Sequence, residues 1–477
     1  MTQTDPAIKL PLPVRLGLAV VAGLLLTAGY ALHPLWWAPW LAPLVLIVAG
    51  SGSPNQARLA GGIAGAIAMT SLLGYYSDMT GWVLTSLFVI LRAGSWLFAA
   101  RLGHMAAQRL TPALAMLVLP AIIAGFEALT LTVSPHGAAG SLAYSQMDMP
   151  ALVQIASIGG PPAVVFMILL PGSFLGVWLT RRLSVKPLLA ASGTFLALAA
   201  GLAAFTVVRL DNAPAATLPV TMIATDRFPG IPEDWSKVWT VYSPAVAANA
   251  RSGGLVVLPE KIALVDGPGA AQAARDVSSA AMAAHATLVV GIEVHDGGIY
   301  RNRALIAGPD GGIAWYDKQR MVPVFEDRDV PGKTPLFIDV AKARLGVAIC
   351  KDMHIPSIGR EYAGTAAVLA VPAWDFGRDG WMGARMTMMR GIEGGYAIAR
   401  SSRNGLVGAY DTTGRILAES ASSDGMTIVT GAVPTERRDT LYSHIGNTFG
   451  WLCLLMTGAL QVWSWMQRRQ RDQASAS

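Results

Sequence analysis

Where the apolar residues fall constrains this chain more than anything else in it. Up to about Val208 the sequence is a succession of long apolar stretches. Residues 218–442 then have the composition of an ordinary globular domain, and one more apolar stretch follows. Crossing a hydrocarbon core takes roughly 20 apolar residues. The stretches 16–32, 35–50, 59–75, 82–100, 113–131, 163–179, 188–207 and 446–466 meet or approach that length, the second being short. They predict about seven spans in 1–210, an eighth at 446–466, and a tail at 467–477 that looks disordered beyond Arg468. Charged residues make up 14% of the chain, against roughly 25% in a soluble protein.

The net charge of +6 follows the spans. Lys9, Arg15, Arg58, Arg101, Arg109, Arg181, Arg182 and Lys186 precede the first stretch or fall in alternate loops. Arg468, Arg469 and Arg471 follow the last. The opposite loops, around His33 and at 77–81 and 134–162, contain no Lys or Arg. Positive loops stay in the cytoplasm, so both termini are expected there and 218–442 outside it. The basic excess is thus topological and does not indicate nucleic-acid binding. With seven further stretches behind it, the first reads as a retained anchor rather than a cleaved signal peptide.

Within 218–442, short apolar, β-branched runs recur at 220–224, 254–258, 287–292, 303–307, 345–349, 367–371, 397–400 and 427–432. Helix-compatible stretches at 235–250, 270–285 and 381–393 lie between several of them. Strands alternating with helices predict a layered α/β domain. Three reactive side chains end apolar runs in it: Glu260 after Leu255 to Pro259, Lys318 after Ile313 to Asp317, and Cys350 after Leu345 to Ile349. Strand ends are where a rigid scaffold can present reactive groups.

The chain has only two cysteines. Cys453 falls in the last apolar stretch and reads as a packing residue. Cys350 is therefore an unpaired thiol in an exported domain, which makes it a candidate for chemistry. A free thiol has a pKa of about 8.5 and reacts as the thiolate. Glu260 could take its proton and return it to a leaving group. Lys318 could hold positive charge beside an oxyanion. The seven histidines are scattered, and no metal spacing, phosphate loop or dinucleotide fingerprint is present, so no metal or cofactor is expected.

The words around these residues carry more. Leu258-Pro259-Glu260, the run from Tyr316 through Lys318 to Glu326, and Gly346-Val347-Ala348-Ile349-Cys350 resemble the three signature segments of the nitrilase (carbon–nitrogen hydrolase) superfamily. The run from Arg385 to Glu393, with the following Ala399 to Gly405, resembles that superfamily's helix and next strand. With spans on both sides, the chain resembles the bacterial apolipoprotein N-acyltransferase family along nearly its whole length. Tyr144-Ser145-Gln146 resembles the family's Y-[SA]-Q segment.

The resemblance implies a multi-span α-helical membrane bundle plus an α/β nitrilase-like αββα sandwich, with Glu260, Lys318 and Cys350 as the triad. It implies transfer of an acyl chain from a phospholipid, through a thioester on Cys350, to the amino terminus of a diacylglyceryl-cysteine lipoprotein in a bacterial inner membrane. Glu326 matches a second glutamate that supports the lysine, and Tyr144 and Gln146 become substrate-binding candidates. Three departures bear on the acceptor. The usual C-Y-E is Cys350-Lys351-Asp352, the usual histidine of Y-x-K-x-H is Arg320, and the usual N-D-x-W-F is Ala373-Trp374-Asp375-Phe376.

Several assignments stay open. Trp374, Phe376, Trp381 and Met382 either line an acyl-chain pocket or pack a core. Arg92 and Glu127, inside predicted spans, either pair with each other or a lipid headgroup, or mark a span edge. A membrane-tethered amidase of the same triad, or a non-catalytic scaffold, would fit the same composition, and oligomeric state is not legible.

Overall fold

The computed structural model describes residues 10–181, 185–211 and 214–476, without the side chains of 79, 80 and 467–476. Lys9, Arg182 and the side chains of Arg468, Arg469 and Arg471, which helped to orient the chain above, lie outside the described residues. The protein forms two compact units. One comprises Met1–Ser134, Gly140–Val208 and Ile445–Ser477, the other Pro135–Ala139 and Arg209–His444.

The first unit is helical. Leu12–Tyr30, Gly81–Arg109, Pro112–Val133, Ala156–Arg181, Val185–Leu210 and Thr448–Met466 are each long and apolar enough to cross a membrane. Pro54–Ala68 and Thr70–Asp78, bent by 42°, make a seventh if they form one span. The stretch expected at 35–50 falls short. Its helix, Ala38–Ala49, has 12 residues with Pro43 inside, about 18 Å at 1.5 Å per residue against a core of about 30 Å. At Gly81 the φ of 74° breaks the helical run Thr70–Arg109 and sets where the fourth expected span begins. Beyond Arg468 the chain continues as helix to Ala476, contrary to the expectation of disorder. Its Gln, Arg and Ala residues favour helix, and neither Gly nor Pro interrupts it.

Arg92 and Glu127 pair with each other. Arg92 Nη1 lies 3.2 Å from Glu127 Oε2, with both side chains buried. Arg92 Nη2 also donates to Thr130 Oγ1 at 3.3 Å, and the guanidinium sits over the Phe88 ring at 5.0 Å. A charge in hydrocarbon costs about 2.5–3.5 kcal/mol on insertion scales, and mutual pairing offsets part of that.

The second unit has two sheets. Its strands are β1 (Thr217–Ala224), β2 (Leu255–Val257), β3 (Leu264–Asp266), β4 (Thr287–Asp296), β5 (Ile299–Ala307), β6 (Ile313–Asp317), β7 (Leu336–Val340), β8 (Ala343–Val347), β9 (Val368–Trp374), β10 (Ala397–Arg403), β11 (Leu406–Tyr410), β12 (Ile416–Ala421) and β13 (Thr427–Pro434). One sheet runs β13-β1-β2-β4-β5-β6, with β3 also on β4; the other runs β12-β11-β10-β9-β8-β7. Side chains alternate along each strand, and here both faces are buried. Leu255, Val257 and Val289 of the first sheet share a core with Leu345, Val347 and Ala370 of the second. Val256, Leu288 and Val290 turn the other way, onto Val238 and Tyr242 of helix Trp235–Asn249 and Val277 of helix Gly267–Ala284. Helix Gly380–Gly394 packs on β10 and β11. The result is the αββα sandwich, and burial on two faces is why its central strands read as unbroken apolar runs.

Candidate active site

Each of the three residues singled out in sequence stands just past a strand: Glu260 beyond β2, Lys318 beyond β6, Cys350 beyond β8. All three are buried. Lys318 Nζ donates to Glu260 Oε1 at 2.7 Å and to Glu326 Oε2 at 2.8 Å. Burial opposes the lysine's charge, but the two carboxylates outweigh it and hold the ammonium well above its usual range. For Glu326, burial is likewise outweighed by Lys318 and Lys261, which bring it down to about 2. Both groups therefore stay charged at neutral pH.

Cys350 opens a 3-10 turn, Cys350–His354, with a φ of 42°. A non-glycine residue in that region is held there by its surroundings. The thiol donates to the Trp374 carbonyl at 3.7 Å. Burial pushes its pKa well up, Glu260 pushes it further, and Lys318 pulls back only in part. At rest the sulfur is therefore a thiol, with the Glu260 carboxylate near enough to oppose its ionisation.

Asp352 holds that turn in place. Its Oδ2 accepts from Ile349 N at 2.9 Å and from the Tyr316 hydroxyl at 2.8 Å. Its Oδ1 accepts from Gln319 N at 3.0 Å and Arg320 N at 2.8 Å. One carboxylate thereby ties the turn after β8 to the loop after β6. Burial raises it to about 6, against the lowering pull of the Ile349 N–H, Lys318 and Tyr316.

Two residues of the cluster were not anticipated. Asn302 of β5 is fully buried, and its Nδ2 donates to Glu260 Oε1 at 2.6 Å and Glu326 Oε1 at 2.7 Å. Lys261, with a φ of 48°, places its Nζ 3.1 Å from Glu326 Oε1, 2.8 Å from Asp329 and 3.3 Å from Glu293. A polar Asn within the β5 run Ile299–Ala307 was the available signal for the first. The charge beside Glu260 was the signal for the second.

The remaining candidates separate. Trp374 gives its carbonyl to the thiol, while its ring lies under Arg403 at 4.2 Å. Phe376 is exposed and meets Phe325 at 5.0 Å between ring centres. Met382 is buried, and Trp381 sits beneath Arg385 at 5.3 Å. Tyr144 and Gln146 belong to the helical unit, both buried. Gln146 accepts from Trp40 Nε1 at 3.0 Å and donates to the Trp36 carbonyl at 2.8 Å, contacts that pin a loop.

Comparison with known proteins gives two family matches. Residues 22–174 match the apolipoprotein N-acyltransferase N-terminal domain, and residues 234–445 match carbon-nitrogen hydrolase. Over 136 residues the chain is 26% identical to the apolipoprotein N-acyltransferase of Geobacter metallireducens, a match covering 26% of this chain and about a quarter (25%) of that protein. Among solved structures, an amidase from Nesterenkonia sp. AN1 is similar at a TM-score of 0.41 and 18% identity, over 50% of this chain and 97% of that one. Nit3 of Saccharomyces cerevisiae, a nitrilase superfamily member, is similar at 0.40 and 18%, over 48% and 94%. With two sheets packed as a sandwich between helices, residues 234–445 belong to the carbon–nitrogen hydrolase (nitrilase) superfamily, and they follow a segment, 22–174, that matches the apolipoprotein N-acyltransferase N-terminal domain.

Proposed function

We propose that this chain is an integral-membrane N-acyltransferase working through an acyl-cysteine. Cys350 attacks the ester carbonyl of a phospholipid: a carbon–sulfur bond forms, the carbon–oxygen bond breaks, and a lysophospholipid leaves. The thiol proton passes to Glu260 and from there to the departing oxygen. The amino terminus of a diacylglyceryl-cysteine lipoprotein then attacks the thioester. A carbon–nitrogen bond forms, the carbon–sulfur bond breaks, and an amine proton returns through Glu260 to the sulfur. Lys318 faces the oxyanion in both halves, where one such contact is worth about 3 kcal/mol. Glu326 keeps the lysine charged, and Asp352 holds the nucleophile's turn. The exposed rings of Phe325 and Phe376 offer an apolar surface to the acyl chain.

The observation that carries this reading is a single ammonium, Lys318 Nζ, held 2.7 and 2.8 Å from two buried carboxylates. It lies near enough to the Cys350 thiol for each to shift the other's ionisation. In the same reading residues 1–210 and 446–466 are the membrane part. Residues 218–442 stand on the extracytoplasmic side of a bacterial inner membrane, and both termini, with the tail 467–477, are cytoplasmic.

Intact-mass measurement after incubation with native lipids tests it. An added acyl mass is expected on the wild type and not on Cys350→Ser, and it should move to the amine of a lipopeptide. Release only as free fatty acid would mark a membrane-tethered amidase instead. Unmodified wild type, with unchanged cellular function in Cys350→Ala, would leave a scaffold.

A further inference from the structure

Lys351, next in sequence to the thiol, is 2% exposed, yet among the described residues its Nζ has no hydrogen-bond partner. An ammonium has three donors, and burying it without an acceptor is costly. The nearby acids are already engaged: Glu260 and Glu326 by Lys318 and Asn302, and Asp352 by the backbone N–H groups of Gln319, Arg320 and Ile349 and the Tyr316 hydroxyl. Lys318 and Arg320 repel the Lys351 charge, whereas Glu326 and Cys350 favour it. His136, from the short segment Pro135–Ala139, and His354 also stand close enough to feel it. The Ala138 N–H donates to the His354 carbonyl at 2.8 Å and fixes that segment against the turn.

Burial, then Lys318, push Lys351 down to about 7. Burial, then Lys351, push His136 to about 3, and His354 is held well below its usual range for the same reasons. Both imidazoles are therefore neutral. What remains beside the nucleophile is a buried lysine whose Nζ makes no hydrogen bond among the described residues, and an exposed arginine, Arg320. Both are positions at which this chain departs from the family pattern.

We propose that Lys351, with Arg320 beside it, binds a phosphate oxygen of the acyl donor, so that the site selects a phosphodiester lipid over a neutral acylglycerol. This rests on the acyl-cysteine reading above. A phosphodiester brings one negative charge and two unshared oxygens, and so the acceptor that Nζ lacks. A lysine meets such a group as a point charge.

The test measures acyl labelling of Cys350 by mass, using the full chain in one neutral detergent. Dioleoyl-phosphatidylglycerol is compared with dioleoylglycerol, whose ester is the same but which has no phosphate. The wild type is expected to prefer the phosphatidylglycerol by about tenfold, the scale of one charge-assisted hydrogen bond. That ratio should fall towards one in Lys351→Met and survive in Lys351→Arg. Equal labelling of the wild type by both donors overturns the proposal without any variant, as does an unchanged ratio in Lys351→Met. Millimolar inorganic phosphate should slow the phosphatidylglycerol reaction selectively; if it slows both donors alike, the site takes free phosphate and the lipid assignment falls. Absence of label from either donor on the wild type would instead refute the acyl-cysteine reading.

Discussion

Replacing Asp352 with asparagine should weaken the protein in acid and cost little or nothing at neutral pH. The carboxyl is raised from 3.8 to about 6, burial being the largest cause. Between those values the folded state binds more protons than the unfolded one, so stability is greatest below the lower value and falls as pH rises through the upper. Two units correspond to roughly 3 kcal/mol, all of it lost by about pH 7.5. Asparagine has no charge to bury, but one of its two positions now donates. Turned toward Ile349 N and Tyr316, it lets the tyrosine hydroxyl reverse and leaves one backbone N–H unmet, at about 1–3 kcal/mol. The variant should thus be less stable near pH 4 by ~1–2 kcal/mol, with the difference vanishing or changing sign near pH 7.5. Unfolding of the detergent-solubilised proteins at the two pH values measures it. A penalty that is larger at pH 7.5 would mean that the four hydrogen bonds outweigh burial, and the reasoning would be wrong.

Glu260→Gln should slow acylation of Cys350 by about 10²–10⁴-fold, the range for a lost general base. Alkylation of the same thiol by iodoacetamide at mildly alkaline pH should rise, because the glutamate opposes the thiolate; if both rates fall together, Glu260 is not the base. In the membrane helices, Arg92→Leu alone should destabilise by about 3–5 kcal/mol, whereas the double variant with Glu127→Leu should recover much of that. Additive losses in thermal unfolding would show that the two charges act separately.

The central sandwich was legible because β2, β4, β9 and β10 are buried on both faces and so appear as apolar runs. β12 was not, since Ile416 and Leu417 are exposed and Glu419 interrupts it. β3, at three residues, offers no period to read. Glu260, Lys318 and Cys350 stood out because each ends a strand within distinctive words. Asn302 and Lys261 were not, since only the pairing of β5 with β4 and β6 turns a lone amide in a strand toward two glutamates. The second apolar stretch, already short in sequence, forms a helix of only 12 residues, and hydropathy does not register where a helix starts and stops.

The residues of the proposed site are divided between the two sheets. Glu260, Asn302 and Lys318 come from one, Cys350, Asp352 and Trp374 from the other. Only short bridges cross at the site, among them the Glu260 N–H to the Ala373 carbonyl at 3.3 Å and the clasp of Asp352 on residues 319 and 320. A slight slide of one layer over the other would part Glu260 from the Cys350 sulfur long before either layer melted. Turnover is therefore a gauge of how the halves are seated, and a methyl group removed from the shared interior, far from any substrate, would register in the rate before it registered in a melting curve.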